Sequence, residues 1–564
     1  MSATARFLLS FFRACASLSL LACLPAAALA ATFQNPILAG FKPDPSVVRV
    51  GPDYYLVNSS FEYFPALPIH HSRDLVNWEL LGYAVTSPAG LGLQDTPSSG
   101  GMQAATLRFH GGRFYIVATS IVDNRPVSFV TTAPNPAGPW SPPKVLAGAE
   151  GIDPSLFFDD DGRAWYTANR LPEKSAFAGE AEIWLQEFDA ERLELVGPVT
   201  ALWRGCCQGI WVEGPHLYKH AGQYVLLVAE GGTGLEHAVS VAVARDILGP
   251  YRNNPRNPVL THRQLSHDYP VVGVGHADLV DTPDGRWFAV ALGWRPLAGG
   301  HALMGRETFL VPVAWEKEPE AWKQDPMTVP VFAPETGKVE LVAPLPFAGK
   351  PQQQVNAWVD EFDQPALHPR WRWRRAPAAP FHRLFIGELR LALQPTAMAD
   401  RTRYSFIGVP QQHSSFSATT TLRFSPAPGE ESGLVVIQKE GAAFSLTLHG
   451  GPAGPEWRLS QWEGEQRREL ATAPVAEPRT DHAAPGVVQL RARLDGLELH
   501  FEVSSDRRHW RAIGPRLDAR ALSPVALPGF NYTGVHVGLY ASSNGRATRN
   551  EAAFLRFAYS GLGD

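Results

Sequence analysis

Apolar and polar positions alternate with a period of two through most of this chain, the pattern of strands half-buried in sheets. From Asp44 onward the alternation falls into one repeat that occurs five times. The copies open at Asp44 (Asp-Pro-Ser-Val-Val-Arg-Val), Ala105 (Ala-Thr-Leu-Arg-Phe-His), Asp153 (Asp-Pro-Ser-Leu-Phe-Phe), Glu213 (Glu-Gly-Pro-His-Leu-Tyr) and Ala277 (Ala-Asp-Leu-Val-Asp). Each then turns through Gly- or Asp-rich residues into an aromatic strand, which is a hairpin signal. Strand-only units of this size predict the blades of a β-propeller, where equivalent inner-strand positions converge on one axis. Three copies open with a carboxylate, so Asp44, Asp153 and Glu213 are expected to share a pocket.

After Trp358 the repeat is lost and short strands follow without a period, the reading of a concanavalin-like β-sandwich or jelly roll. The fold class is therefore all-β: a five-bladed propeller over 32–318, a linker over 319–354 and a sandwich over 355–564. A chain of 564 residues suits two domains.

Composition narrows the partners. The net charge of -5 leaves no basic surplus to neutralise phosphates, so nucleic acid is not expected as a partner. Residues 1–30 read as a signal peptide: Arg6 and Arg13, an apolar run from Ala14 to Leu24, then Ala28-Leu29-Ala30 as a small-x-small cleavage site. Export to the periplasm or the medium is expected, with a lipid anchor on Cys23 as the weaker alternative. No other stretch is long and apolar enough to span a bilayer. Beyond the leader only Cys206 and Cys207 remain. Adjacent cysteines close a strained ring, so no disulfide is expected, and no zinc-like Cys/His spacing occurs. An oligomer is compatible with the sequence.

Prolines on both sides of Asp44, and one after Asp153, restrict the backbone around each acid. A rigidly aimed carboxylate suits acid–base work. Several carboxyls near one axis repel each other, which raises at least one pKa. The chemistry that uses such a set is glycoside hydrolysis, with one carboxylic acid protonating the leaving oxygen and one carboxylate activating water. A third acid can orient and tune the donor.

These segments resemble glycoside hydrolase family 43, in particular its β-xylosidase/α-L-arabinofuranosidase members with a C-terminal β-sandwich. The matching phrases include Gly40-Phe-Lys-Pro-Asp-Pro-Ser, Ser59-Ser-Phe-Glu-Tyr-Phe-Pro, Glu213-Gly-Pro-His-Leu-Tyr-Lys, Gly275-His-Ala-Asp and Gly305-Arg-Glu-Thr-Phe. The resemblance implies inversion at the anomeric carbon, with Asp44 as general base, Glu213 as general acid and Asp153 positioning the acid. It also implies that Phe61 walls the sugar pocket, that Arg306 binds sugar hydroxyls and that His276 supports the site near the axis. In some relatives that histidine contacts calcium. No cofactor is required, and one His is a poor calcium site, since calcium takes several oxygens. Gln103 stands in Gly101-Met-Gln-Ala-Ala, where many relatives carry a sugar-stacking Trp.

The expected activity is exo-acting release of xylose from β-1,4-xylo-oligosaccharides, with α-L-arabinofuranose release from arabinose-substituted oligosaccharides as the alternative. A retaining fructan- or sucrose-cleaving propeller fits less well, because its Asn-Asp-Pro-Asn, Arg-Asp-Pro and Glu-Cys phrases are absent. A non-catalytic sugar-binding propeller predicts loss of an acid, and all three acids are present.

Overall fold

The computed structural model describes residues 31–88, 90–317, 325–347, 351–353, 355–400, 404–475 and 487–563. The expected signal peptide and Cys23 lie outside the described residues.

Five antiparallel sheets make the first part of the chain. Their inner strands are Ser46–Val50, Gly101–His110, Ser155–Phe158, Glu213–His220 and Val272–Asp281, one per repeat. Alternation buries one set of side chains between neighbouring sheets. Five separate apolar clusters result, one at each blade contact, including a cluster around Leu56 and Val290 that joins blades one and five. The ring is therefore closed.

Closure uses chain from beyond the repeats. Thr32–Gln34 pairs with Val342–Pro344. Asn35 Nδ2 donates to the carbonyls of Leu310 and Glu340, each at 3.0 Å. Thr328–Phe332 pairs with Glu307–Lys317 as the outer strand of blade five. The stretch expected to be a linker thus supplies a blade strand and part of the closure. The loss of the repeat pattern hid this, because an outer edge strand need not repeat the inner-strand motif.

A nine-stranded and a six-stranded sheet form the second part. They enclose one apolar core that includes Trp371, Leu434, Phe501 and Phe557. The two parts are tightly joined. Trp373–Arg374 pairs as a short strand with Tyr63–Phe64 of the propeller. Arg374 binds Glu62 at 2.8 Å and Glu440 at 2.7 Å, with all three side chains covered. Phe41, Phe61 and Tyr63 share an apolar cluster with Phe406, Val435 and Tyr540.

Cys206 and Cys207 are joined as a disulfide, contrary to the sequence expectation. The loop there turns sharply: Cys207 and Gln208 have φ of 60° and 61°. The Gly209 amide donates to the Cys206 carbonyl at 2.7 Å, and the Cys206 amide to Glu230 Oε2 at 3.2 Å. A turn of that tightness holds neighbouring side chains on one side.

Candidate active site

The acids stand at the mouths of the inner strands, and the backbone there is unusual. Asp44, Asp153 and His276 adopt φ of 48°, 55° and 47°. For residues with a Cβ this left-handed region costs energy and marks a functional constraint. In blade four the left-handed residue is Gly214, with φ of 56°. Two positions further along lie Ser46, Ser155, His216 and Asp278. The register of blade five therefore runs from His276, one residue before the repeat opening read from sequence. Glu213 sits one residue ahead of its blade's left-handed position, so it approaches the axis from a different angle than Asp44 and Asp153.

The main chain beside each acid is held by neighbouring blades. The Lys42 amide donates to the Arg306 carbonyl at 2.9 Å, and Thr308 Oγ1 donates to the Lys42 carbonyl at 2.7 Å. Asn58 Nδ2 donates to the Pro43 carbonyl at 3.0 Å. These bonds lay the Asp44 segment along blade five. There Arg306 Nη1 donates to Asp44 Oδ1 at 3.0 Å, with both side chains buried. Asn169 performs the equivalent service for the other two acids. Its Oδ1 accepts the Ile152 amide at 2.9 Å and its Nδ2 donates to the Val212 carbonyl at 3.2 Å, each just ahead of an acid. A side chain on Gly151 would lie 1.7 Å from the Asn169 carbonyl, so only glycine fits.

Electrostatics separates the acids. Burial raises Glu213, the charges of Asp153 and Asp44 add to it, and together they push its pKa up to about 8. Burial also acts to raise Asp44, but Arg306 and His276 outweigh it and hold Asp44 below the usual carboxylate range. Burial works against charge on His276, whose Nε2 lies 3.5 Å from Asp153 Oδ2. Its bond to Asp153 and the charges of Asp44, Asp153 and Glu213 prevail and raise it to about 9. These surroundings favour the protonated form of Glu213, the ionised form of Asp44 and the imidazolium form of His276 at neutral pH.

Among the described residues no group of three or more His, Cys, Asp or Glu side chains is arranged around a metal. The donor set at His276 does not fit directly bound calcium, which takes six to eight oxygens.

The remaining expected residues fall into place differently. Arg306 does not pair with the adjacent Glu307, which is bound instead by Arg295 at 2.8 Å and by the Gly40 amide at 2.7 Å. Nε and Nη2 of Arg306 are buried without hydrogen-bond partners, leaving two aimed donors beside Asp44. Phe61 is buried, with its ring centroid 5.4 Å from the Arg306 guanidinium. Gln103 lies in the irregular start of the blade-two inner strand, between Met102 and Ala105, with Oε1 buried and unpaired.

Several residues escaped sequence reasoning. Tyr532, from a sandwich loop, lies 5.2 Å from the Arg306 guanidinium and 5.4 Å from the Phe61 ring. The loop comes in at backbone contact: a side chain on Gly305 would lie 2.8 Å from Gly534 Cα. His237 packs so closely under Gly275 that any side chain there would meet its ring at 1.9 Å. Below the acids, a buried polar layer plugs the axis. Asp278 binds Arg108 at 2.9 Å and Ser46 Oγ at 2.6 Å, and accepts from the Tyr218 hydroxyl. Arg108 also reaches His216 Nδ1 at 3.0 Å. The signal for this layer was available: Asp278 stands at the position of Ser46 and Ser155. Tyr532 and Asn169 left none, because no repeat or motif marks them.

Comparison with known proteins identifies the family. Residues 33–319 match the model of glycosyl hydrolases family 43, and 359–560 match the β-xylosidase C-terminal concanavalin A-like domain. A xylosidase/arabinosidase from Butyrivibrio fibrisolvens is 37% identical, covering 93% of this chain and 98% of its own. A non-reducing end α-L-arabinofuranosidase from Bacteroides ovatus is 36% identical, covering 93% and 94%. The crystal structure of a xylan β-1,4-xylosidase from Bacillus halodurans superposes with a TM-score of 0.85 at 32% identity, covering 94% of this chain and all of that one. The protein is a glycoside hydrolase that belongs to family 43.

Proposed function

We propose that the enzyme removes xylose from the non-reducing end of β-1,4-xylo-oligosaccharides with inversion. What carries this is the geometry of two carboxyls on one axis whose surroundings push them apart: Glu213, crowded by Asp153 and Asp44, is pushed up to about 8, and Asp44, bonded to Arg306 at 3.0 Å, is held low. That division matches the two tasks of an inverting glycosidase. Glu213 gives its proton to the glycosidic oxygen as the bond to the anomeric carbon breaks. Asp44 takes a proton from the water that attacks the opposite face. Asp153, ion-paired with His276, keeps negative charge near Glu213 and so favours its protonated form. Arg306 offers two free donors to sugar hydroxyls. The Tyr532 ring over Arg306 and beside Phe61 supports an exo mode, because a wall supplied by the second domain leaves less room for an internal stretch of polymer.

The arabinosidase names of two relatives support a second substrate, α-L-arabinofuranose, in the same pocket. Values of kcat/KM on aryl β-D-xyloside and aryl α-L-arabinofuranoside, with Asp44→Asn as blank, decide between them. A preference for the xyloside is expected. The reverse preference would make the enzyme a debranching arabinofuranosidase, and retention of configuration in the first-formed sugar would overturn the mechanism. The donor set at His276 predicts that a chelator leaves both values unchanged.

A further inference from the structure

A cleft of about 1530 Å³ runs between the propeller and the sandwich. Lys42, His70, Tyr83, Trp358 and Arg372 line it, whereas Asp44, Asp153, Glu213, His276 and Arg306 do not. At its inner end three basic side chains are buried together. Lys42 is 8% exposed, His70 3% and Arg372 1%. Arg372 Nη1 and Nη2 and His70 Nδ1 have no hydrogen-bond partner. Among the described residues no carboxylate pairs with Lys42 or Arg372. The guanidinium instead lies 5.7 Å from the Phe41 ring and 5.6 Å from that of Tyr63.

The carboxylates that do line the cleft are engaged or distant from charge burial. Asp74 is held by its own turn, accepting from the Val76 amide at 3.0 Å and the Asn77 amide at 2.7 Å. Glu79 is exposed on the outer strand of blade one. Burial, with the charge of Arg372 added, pushes Lys42 well below its usual range. Burial likewise lowers His70, and Lys42 and Arg372 add to it.

A buried cation without a counter-ion is costly, and one beside a second is more so. Such clusters are stabilised by a bound anion, and guanidinium and ammonium donors match an oxyanion in charge and geometry. The backbone fixes both: the Arg372 amide and carbonyl bridge to Gly408 at 3.0 and 2.8 Å, and Lys42 is tied to Arg306 and Thr308.

We propose that this interdomain cleft binds an oxyanion at Lys42 and Arg372, with His70 beside them. The ligand is either inorganic phosphate or the carboxylate of an acidic sugar; both offer planar or tetrahedral oxygens to the same donors. The proposal is independent of the reading of the catalytic pocket.

Thermal unfolding of the full chain tests it, in zwitterionic buffer at fixed ionic strength set with potassium chloride. Inorganic phosphate and D-glucuronate are titrated separately. A saturable rise in Tm of at least about 2 °C is expected with one of them, following ligand linkage. The rise should vanish in Lys42→Met and in Arg372→Met. A response to phosphate assigns a free inorganic ligand, and a response to glucuronate alone assigns an acidic sugar. No saturable response to either overturns the proposal, as does a response of the same size in Lys42→Met. If Arg372→Met does not fold, Lys42→Met decides alone.

Discussion

Two layers of side chains sit on the propeller axis, one above the other, and both are drawn from the same inner strands. The upper layer holds Asp44, Asp153, Glu213 and His276. The lower holds Ser46, Arg108, Ser155, His216 and Asp278. Both layers are largely buried and carry charge, yet they differ in satisfaction. In the lower layer Asp278 accepts from Arg108, Ser46, Tyr218 and the Val47 amide; against the cost of burial, the charges of Arg108 and His216 and the bonds from Arg108 and Ser46 hold its carboxyl far below the usual range. In the upper layer Arg306 and His276 keep unpaired donors, and Glu213 is forced towards its neutral form. The same architecture gives rigidity where the buried carboxylate is fully partnered, and reactivity where partners are withheld for a substrate.

The sharpest way to break this contrast is to neutralise the upper layer. Glu213→Gln and Asp44→Asn should each lower kcat/KM on xylo-oligosaccharides by roughly 10²–10⁴-fold, the usual contribution of a positioned acid or base. Unfolding midpoints should stay close to wild type. Turnover at wild-type rates in Glu213→Gln would remove it from the mechanism.

The lower layer should respond in the opposite sense. Arg108→Met leaves Asp278 charged and buried without its main partner, which costs about 3–5 kcal/mol. Urea unfolding followed by tryptophan fluorescence reads this loss. If Arg108→Met kept wild-type stability, the plug would not be holding the ring.

How much of this the sequence disclosed follows from symmetry. Asp44 and Asp153 were legible because they recur at one place in a repeat, and Glu213 because it lies one residue from that place in a third copy. Their common position on an axis is a direct consequence of period and strand type. The repeat was read from Ala277 in blade five, which misses by one the register that the left-handed His276 reveals. Backbone conformation is not written in residue type for an Asp or a His. The outer strand Thr328–Phe332 was taken for linker because edge strands carry no shared motif. Tyr532 and Asn169 act through long-range contacts, which one sequence read by local pattern does not expose.

A weaker effect tests the charge division directly. Because Glu213 must carry a proton, kcat/KM should fall as pH rises through about 8. Because Asp44 must be ionised and is held low, activity should persist on the acid side to below the ordinary carboxylate value of about 4. His276 lowers Asp44 by its charge, so His276→Gln should move the acid limb upward. Both limbs report the coupled cluster rather than single residues. An acid limb unmoved in His276→Gln would mean that the imidazolium does not set the base.

The smallest expected effect concerns what completes the upper layer from outside. The plug is built wholly by the propeller, whereas the pocket borrows Tyr532 from the sandwich, its ring 5.2 Å from the Arg306 guanidinium. A cation over an aromatic face is worth about 0.5–2 kcal/mol. Tyr532→Ala should therefore lower kcat/KM by roughly twofold to thirtyfold. Tyr532→Phe keeps the ring and loses only the hydroxyl, so it should retain most of the activity. Equal losses in the two variants would shift the role from the ring to the hydroxyl. Stability should barely change in either, because the loop is anchored by backbone: the Tyr532 amide donates to Ser99 Oγ at 2.8 Å and Gly534 packs on Gly305. The sandwich would then count as part of the active site through one ring.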